Sequence, residues 1–365
     1  MMLHLYFARR FLFTFLSILG GVAAFVYVLD FVEQIRRFDD DNVSFGGLAH
    51  LTLLNAPASL YEMMPLVMIL SSVALFLALA RSSELVVTRA TGRSGMSALA
   101  GPALVALVVG MVSVAVFNPI VAASTQRFSE LRELYEDGRQ SVISIGADGL
   151  WLRQGDESGQ TVIRAARSNA DATLLYDVSF LRYQSGVGPT RRLLAGEAEL
   201  AEGAWRLRDV KAWPLGPEIN SEANAEQLSQ MEIPSTLTRD RIRDRFGQPS
   251  AISIWALPTF IADLERSGFS ARRHAVWLQM ELARPIFLVA LVLVGAAFTM
   301  EHARLARTGI AVMSAVLIGF GLFYVRNFAQ ILGESGQLGP LVAAWVPPAA
   351  SLLLALGLLL QKEDG

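Results

Sequence analysis

The sequence predicts a membrane all-α bundle of six transmembrane helices, three before and three after an inserted β-domain. Three observations predict it. Long apolar runs flank a middle stretch of ordinary polarity, and that middle stretch carries strand alternation and turn residues. The basic residues of the short connecting segments gather on one side of the runs. In the 365-residue chain 53% of residues are hydrophobic and only 18% charged, where a soluble domain carries about 25% charged residues. Mean hydropathy is +0.42.

Crossing a bilayer core takes roughly 18 or more apolar residues, because a helix rises only about 1.5 Å per residue. Six runs meet or approach that length: Phe11–Val32, Ala56–Ala80, Ala98–Ala122, Pro285–Met300 with its lead-in, Gly309–Val325 and Leu341–Leu360. The fourth is the shortest apolar run, with Glu281 and Arg284 preceding it. The first is too long for a signal-peptide core and no small-x-small cleavage site follows, so it is read as a retained helix flanked by Arg9 and Arg10.

Orientation follows from arginine and lysine in short loops. With the N-terminus inside, the cytoplasmic segments hold Arg9, Arg10, Arg81, Arg89, Arg93, Arg304, Arg307 and Lys362, while the outer ends hold Arg36, Arg37 and Arg326. Both termini are therefore expected in the cytoplasm, and residues 123–272 outside it. The expected divisions are 1–122 for helices one to three, 123–272 for the inserted domain, and 273–365 for helices four to six.

The inserted domain opens with a helical lead-in over about Ser124 to Arg139. Alternation in Tyr176-Asp-Val178-Ser-Phe180 and Trp205-Arg-Leu207-Arg predicts strands, with turns at Gly146-Ala-Asp148-Gly149 and Ser185-Gly186. Short strands with frequent turns predict a sandwich or jellyroll. From about Ser253 to Ser267 the period becomes helical, which predicts a connecting helix.

Several chemistries are excluded. There is no cysteine, hence no disulfide and no thiolate site. His4, His50, His274 and His302 lack metal-ligand spacing, so no metal site is expected. A P-loop is absent, and neither lysine (Lys211, Lys362) follows a glycine-rich loop. The chain is expected to be non-catalytic, with no cofactor of its own; any nucleotide would be bound by another chain. A net charge of −2 gives no reason to expect nucleic acid.

Three sets of residues stand out. Arg81-Ser-Ser-Glu84-Leu85-Val-Val-Thr-Arg89-Ala-Thr-Gly92 has the grammar of a short helix over about 82–92. A serine caps it, Glu84 sits in the first turn, Arg89 in the last, and Gly92 supplies the stop. It is either a docking element for a soluble partner or a plain interfacial helix. Arg36 and Arg37 after helix one, with Arg326 at the end of helix five, form a cationic set suited to a phosphorylated lipid, because guanidinium binds phosphate through a planar fork. Headgroup anchoring is the alternative. Glu62, between Pro57 and Pro65, is placed to line a polar cavity or to reach the headgroups. Glu281 and Arg284, spaced i,i+3, are expected in the outer interface, paired or facing a cavity.

Phe31-Val-Glu-Gln-Ile-Arg-Arg37, the Pro57-x7-Pro65 spacing, Arg81 to Gly92, Gly149-Leu-Trp151 and Pro347-Pro348 together resemble the LptF/LptG permease family of the lipopolysaccharide export ATP-binding cassette transporter. The resemblance covers nearly the whole chain. It implies a periplasmic β-jellyroll domain and a location in the bacterial inner membrane. It implies an LptF-like permease partner enclosing a shared cavity, an LptB-like ATPase dimer that binds ATP and Mg, and an LptC-like jellyroll protein. Lipopolysaccharide would enter from the outer leaflet. Glu84, Leu85 and Arg89 would couple to the ATPase, and Arg36, Arg37, Arg326 and Glu62 would meet the lipid. Another lipid or lipoprotein exporter subunit is the alternative, although its large domain usually follows the first helix; a non-transport scaffold would leave the capped cytoplasmic helix without a purpose.

Overall fold

The computed structural model describes residues 2–38, 43–82, 84, 95–137, 143–146, 149–156, 159–169, 173–184, 188–201, 203–216, 220–235, 248–266, 270–300 and 308–364. The chain divides into two compact units: Met1–Phe128, Ser253–Trp255 and Arg272–Gly365 form the first, and Ser129–Ile252 with Ala256–Ala271 the second.

The first unit is helical. It contains α1 (Met2–Arg37), α2 (Phe45–Arg81), α3 (Gly95–Val112), a π-helical turn (Ser113–Phe117) and the first half of α4 (Asn118–Asp137). After the second unit it resumes with α6 (Arg272–Thr299), α7 (Thr308–Glu334) and α8 (Pro340–Asp364). Among the described residues six helices are long and apolar enough to cross a membrane: Leu3–Arg37, Phe45–Arg81, Ala98–Arg132, Arg272–Thr299, Gly309–Glu334 and Pro340–Gln361.

These helices outrun their apolar stretches. Helix propensity continues through polar flanks, while hydropathy marks only the greasy middle. The fifth span does not stop at Val325; α7 runs to Glu334 and closes at Gly336, whose φ of 89° only glycine adopts without strain. The amide of Gln337 returns to the carbonyl of Leu332 at 3.0 Å, as a left-handed C-terminal cap requires. Arg326 therefore lies inside a helix and not at its end. The helical lead-in to the inserted domain begins earlier than Ser124, since α4 continues directly from the π-helical turn. Trp255 Nε1 donates to the carbonyl of Ala115 within that turn at 3.1 Å, and Asn118 accepts from the amide of Ile254 at 2.8 Å. Backbone groups loosened by the turn thus gain partners.

The shortest predicted span becomes the centre of the bundle. α6 is largely buried and packs against α2, α3, α7 and α8, whereas α1 and α7 expose most of their apolar side chains. Phe7, Phe11, Phe76, Leu79, Phe287 and Leu291 belong to the shared core. Close approach requires small residues. A Cβ added to Gly110 would stand 2.6 Å from the Cα of Pro285. Ser72 ties α2 to α6 by donating to the carbonyl of Val292 at 2.6 Å.

Among the described residues the second unit holds a single antiparallel sheet of seven strands in the order β1-β2-β3-β4-β5-β6-β7. The strands are β1 (Ile143–Gly146), β2 (Gly149–Asp156), β3 (Gly159–Ser168), β4 (Leu174–Gln184), β5 (Gly188–Ala201), β6 (Ala204–Pro214) and β7 (Glu226–Pro234). Here the structure differs from the expected jellyroll: the described strands form an open meander. Most connections are too short to reach anything but the neighbouring antiparallel strand. One face is buried: Leu150, Ile163, Phe180, Leu207 and the fully buried Trp205 pack together, with Phe260, Ile261 and Leu264 of α5 (Leu257–Arg266) against them. α5 is shorter than the expected connecting helix, because a 3-10 turn at Pro249–Ala251 and an irregular stretch occupy its approach.

The alternation from Tyr176 to Phe180 misplaces one residue. Asp177 and Asp209 both have φ of 53°. The left-handed backbone there flips the alternation without changing the pairing register, since Tyr176 pairs with Glu197 and Val178 with Ala195, so Leu175, Val178 and Phe180 face the core and Tyr176 does not. Leu207 and Val210 are likewise both buried.

Gly110→Ala is expected to lower stability by about 1–3 kcal/mol through overpacking, read as a lower unfolding temperature in detergent. Gly321, which has nothing within 4 Å of an added Cβ, is the control. Gly321→Ala should be neutral or slightly stabilising, because alanine is the better helix former.

Candidate functional site

Two charged arrangements and one largely apolar cleft stand out among the described residues of the helical unit. The first joins α1 to the segment after α2. Arg10 Nη1 meets Glu84 Oε1 at 2.6 Å, Tyr6 Oη donates to Glu84 Oε2 at 3.0 Å, and Ser82 Oγ donates to Oε1 at 2.8 Å. Tyr6 and Arg10 are one helical turn apart, and the Arg10 Nη1 also donates to the tyrosine oxygen at 2.9 Å. Burial pushes the Glu84 carboxyl up, but the hydrogen bonds from Arg10, Ser82 and Tyr6 outweigh it and hold the group below the usual carboxylate range. The contact is thus intact at neutral pH and is lost only as pH falls through that lowered value. Ser82, one of the two serines able to cap the expected cytoplasmic helix, ends α2; its amide donates to the carbonyl of Ala78 at 3.0 Å. Leu85, Arg89 and the rest of the predicted coupling helix lie outside the described residues.

The second arrangement is buried. On α6, Arg284 faces Glu281 with two parallel bonds, Nη2 to Oε1 at 2.6 Å and Nε to Oε2 at 3.1 Å. From α2, the Tyr61 hydroxyl donates to Glu281 Oε2, and Arg284 Nη1 returns a bond to the carbonyl of Tyr61 at 3.2 Å. The guanidinium sits 3.9 Å from the centre of the Tyr61 ring, within cation–π range. Glu281 is fully buried and Arg284 only 5% exposed, so the two are paired, as expected, and face the bundle's interior. Arg326 of α7 is buried beside it. Its guanidinium lies over the Phe287 ring at 5.5 Å, and Nη2 reaches the carbonyl of Met280 at 3.5 Å.

Thirdly, a cleft of about 80 Å³ opens between α2, α6 and α7. Its lining is almost wholly apolar, with Leu66, Ile69, Leu291 and Phe323 on the walls and the exposed Glu62 among the lining residues. Arg36 and Arg37 occupy the last turn of α1 with exposed side chains, where the helix dipole favours cations. α1 packs on α2 and α3, while α7 packs on α2, α6 and α8. Arg36 and Arg37 are thus carried by one edge helix and Arg326 by another.

Sequence reading missed three partners. Tyr61 and Glu281 are 220 positions apart, and nothing local links them. The Tyr6–Arg10 spacing was visible, but Arg10 looked like a membrane flank. Asp30, within the first apolar run, accepts from Asn55 at 2.8 Å and from Ser59 at 3.1 Å, binding α1 to α2. The i,i+4 spacing of Asn55 and Ser59 was the available signal.

Six membrane-compatible helices around a buried ion pair, with a separate antiparallel sheet inserted in the chain, define a multi-pass membrane protein that carries an extramembrane sheet domain. Residues 5–361 match the family model described as lipopolysaccharide export system permease LptF/LptG, and the chain belongs to that family. It is 24% identical to the lipopolysaccharide export system permease protein LptG of Escherichia coli strain K12 over 348 residues, which is 92% of this chain and 91% of that protein. It is 23% identical to the LptG protein of Haemophilus influenzae over 363 residues, 97% and 96% of the two chains.

Removing one member of the buried pair should be far more damaging than removing both. Glu281→Leu alone is expected to cost about 3–5 kcal/mol by leaving Arg284 buried without its counter-charge, and Glu281→Leu with Arg284→Met to recover most of that loss. Unfolding temperatures of the purified variants in detergent measure both.

Proposed function

We propose that this chain is the LptG-type permease subunit of an ATP-driven lipopolysaccharide exporter in the bacterial inner membrane. Family membership across residues 5–361 carries the reading, because it spans the helices and the sheet unit together. In this reading the termini are cytoplasmic and the sheet domain is periplasmic. The chain pairs with an LptF-like subunit around a cavity, and lipopolysaccharide enters that cavity from the outer leaflet. An LptB-like ATPase dimer binds ATP and Mg and hydrolyses the nucleotide; this chain is not an enzyme. The lipid then passes to this chain's sheet domain and to an LptC-like jellyroll protein.

Physical chemistry supports each part. Moving a multi-chain lipid through water exposes many methylenes at about 0.8 kcal/mol each, so the path must be apolar and driven. The outward apolar faces of α1 and α7, with Phe13, Phe25 and Leu29 on one and Leu317, Phe320 and Tyr324 on the other, are suited to lipid tails and to a second permease chain. Arg36 and Arg37, exposed at the end of α1, suit the phosphates of the headgroup. Glu62 lies at a cleft able to take apolar chain. In this reading Glu84, Leu85 and Arg89 couple the chain to the soluble motor.

Co-purification with its chromosomal neighbours followed by mass spectrometry of bound lipid tests the reading. Lipopolysaccharide and an ATPase chain are expected, and a complex carrying only phospholipid would count against it. Glu84→Ala should weaken recovery of the ATPase or separate hydrolysis from lipid release. Arg36→Glu with Arg37→Glu should lower photocrosslinking of lipopolysaccharide within the complex at least fivefold. Unchanged crosslinking would make these arginines simple headgroup anchors.

A further inference from the structure

We propose that Tyr6 and Arg10 of α1 are positioning residues for Glu84, so that the motor's stroke enters the permease through α1 itself. This rests on the coupling role proposed for Glu84. Both oxygens of that carboxylate are held by groups of the same chain: Oε1 by Arg10 and Ser82, and Oε2 by Tyr6. An acid that acted only on a docked partner would be left facing outward. Instead it is bound to a membrane helix 74 positions away.

The geometry is pre-set on the α1 side. Arg10 lies over the Tyr6 ring at 5.9 Å and donates to its hydroxyl, so both donors form a fixed fork before Glu84 arrives. Each partner of the ion pair is about one-third exposed, 32% for either side chain. A docking surface can therefore reach the pair and bias it without first unpacking the bundle.

α1 is built to carry the displacement. It is one unbroken helix from Met2 to Arg37, and Arg10 and Arg36 stand roughly 39 Å apart along it at the helical rise. Phe7, Phe11 and Phe15 are buried on one face near the Glu84 end, and their four-residue spacing forms a pivot line. Beyond them Leu16, Phe25, Val28 and Leu29 are exposed. Movement of Glu84 is thus passed along a rod whose far end holds Arg36 and Arg37 and whose Asp30 is bonded to α2. Docking at the cytoplasmic end and the cationic end of the same helix become one mechanical element.

A charge exchange in the full complex, reconstituted into proteoliposomes with lipopolysaccharide, tests this. Arg10→Glu and Glu84→Arg should each lower lipid released per ATP hydrolysed at least tenfold. The double exchange R10E/E84R should return it to within about threefold of wild type, since the pair is re-formed with its polarity reversed. If the double variant stays as impaired as Glu84→Arg alone, Glu84 acts on the partner directly and the proposal falls. It falls equally if Arg10→Glu transports normally. Should Glu84→Arg itself transport normally, the coupling role of Glu84 is rejected instead, a distinguishable result. Where a reversed charge prevents assembly, the neutral variants Arg10→Gln, Glu84→Gln and their combination serve. A double loss no larger than either single loss supports the link, and multiplied losses overturn it. Arg10→Lys should retain at least half of wild-type transport, because the charge and reach persist.

Discussion

The helical unit depends on a carboxylate and a guanidinium that have no water to fall back on. Glu281 and Arg284 sit one turn apart on the most buried helix, bonded side by side. Such a pair is tolerated only when its remaining lone pairs and protons are also satisfied. Tyr61 does this twice, through its hydroxyl and through its carbonyl. α2 and α6 are therefore registered against each other by directional bonds as well as by packing, and a slide of one along the other would break several bonds at once. Ser72 on Val292 repeats the constraint further along the same seam. The α2–α6 pair is the rigid frame of the unit.

Against that frame, the contact of α1 with Glu84 is of another kind. Its members are part-exposed, and exposed ion pairs are worth about 0–1 kcal/mol. A small bias is enough to remake it, so the two pairs differ in kind: the buried Glu281–Arg284 pair fixes geometry, and the Arg10–Glu84 pair is weak enough to be exchanged.

Span count and approximate position were legible because hydropathy is a local property of 18 or more consecutive residues. Ends were not, since α1 starts at Met2 and α7 ends at Glu334 on helix propensity and a glycine cap that hydropathy ignores. In the sheet, the strands around Val178 and Leu207 were readable from alternation. The face of Tyr176 was not, because the left-handed backbone at Asp177 moves the pleat by one residue. The candidate charges were legible as residues and illegible as partnerships. An i,i+3 pair shows itself in the sequence; its third member on another helix does not. Glu281 and Arg284 were legible as a pair for that reason, and the bond from Tyr61 ties the pair to α2.

Arg326 extends the contrast to the other edge of the bundle. It is a buried cation whose Nε has no hydrogen-bond partner among the described residues, and its one bond to α6 is a long 3.5 Å contact with a carbonyl. Its other contact with α6 is the Phe287 ring at 5.5 Å, so among the described residues the α6–α7 seam has fewer short directional bonds at this cluster than the α2–α6 seam. α7 is also among the least buried of the six spans, as is α1. These two helices turn apolar faces outward while α1 stays joined to α2 through Asp30. Under the proposed entry of lipid from the side, those outward faces are the ones the tails would meet, with the α2–α6 frame behind them.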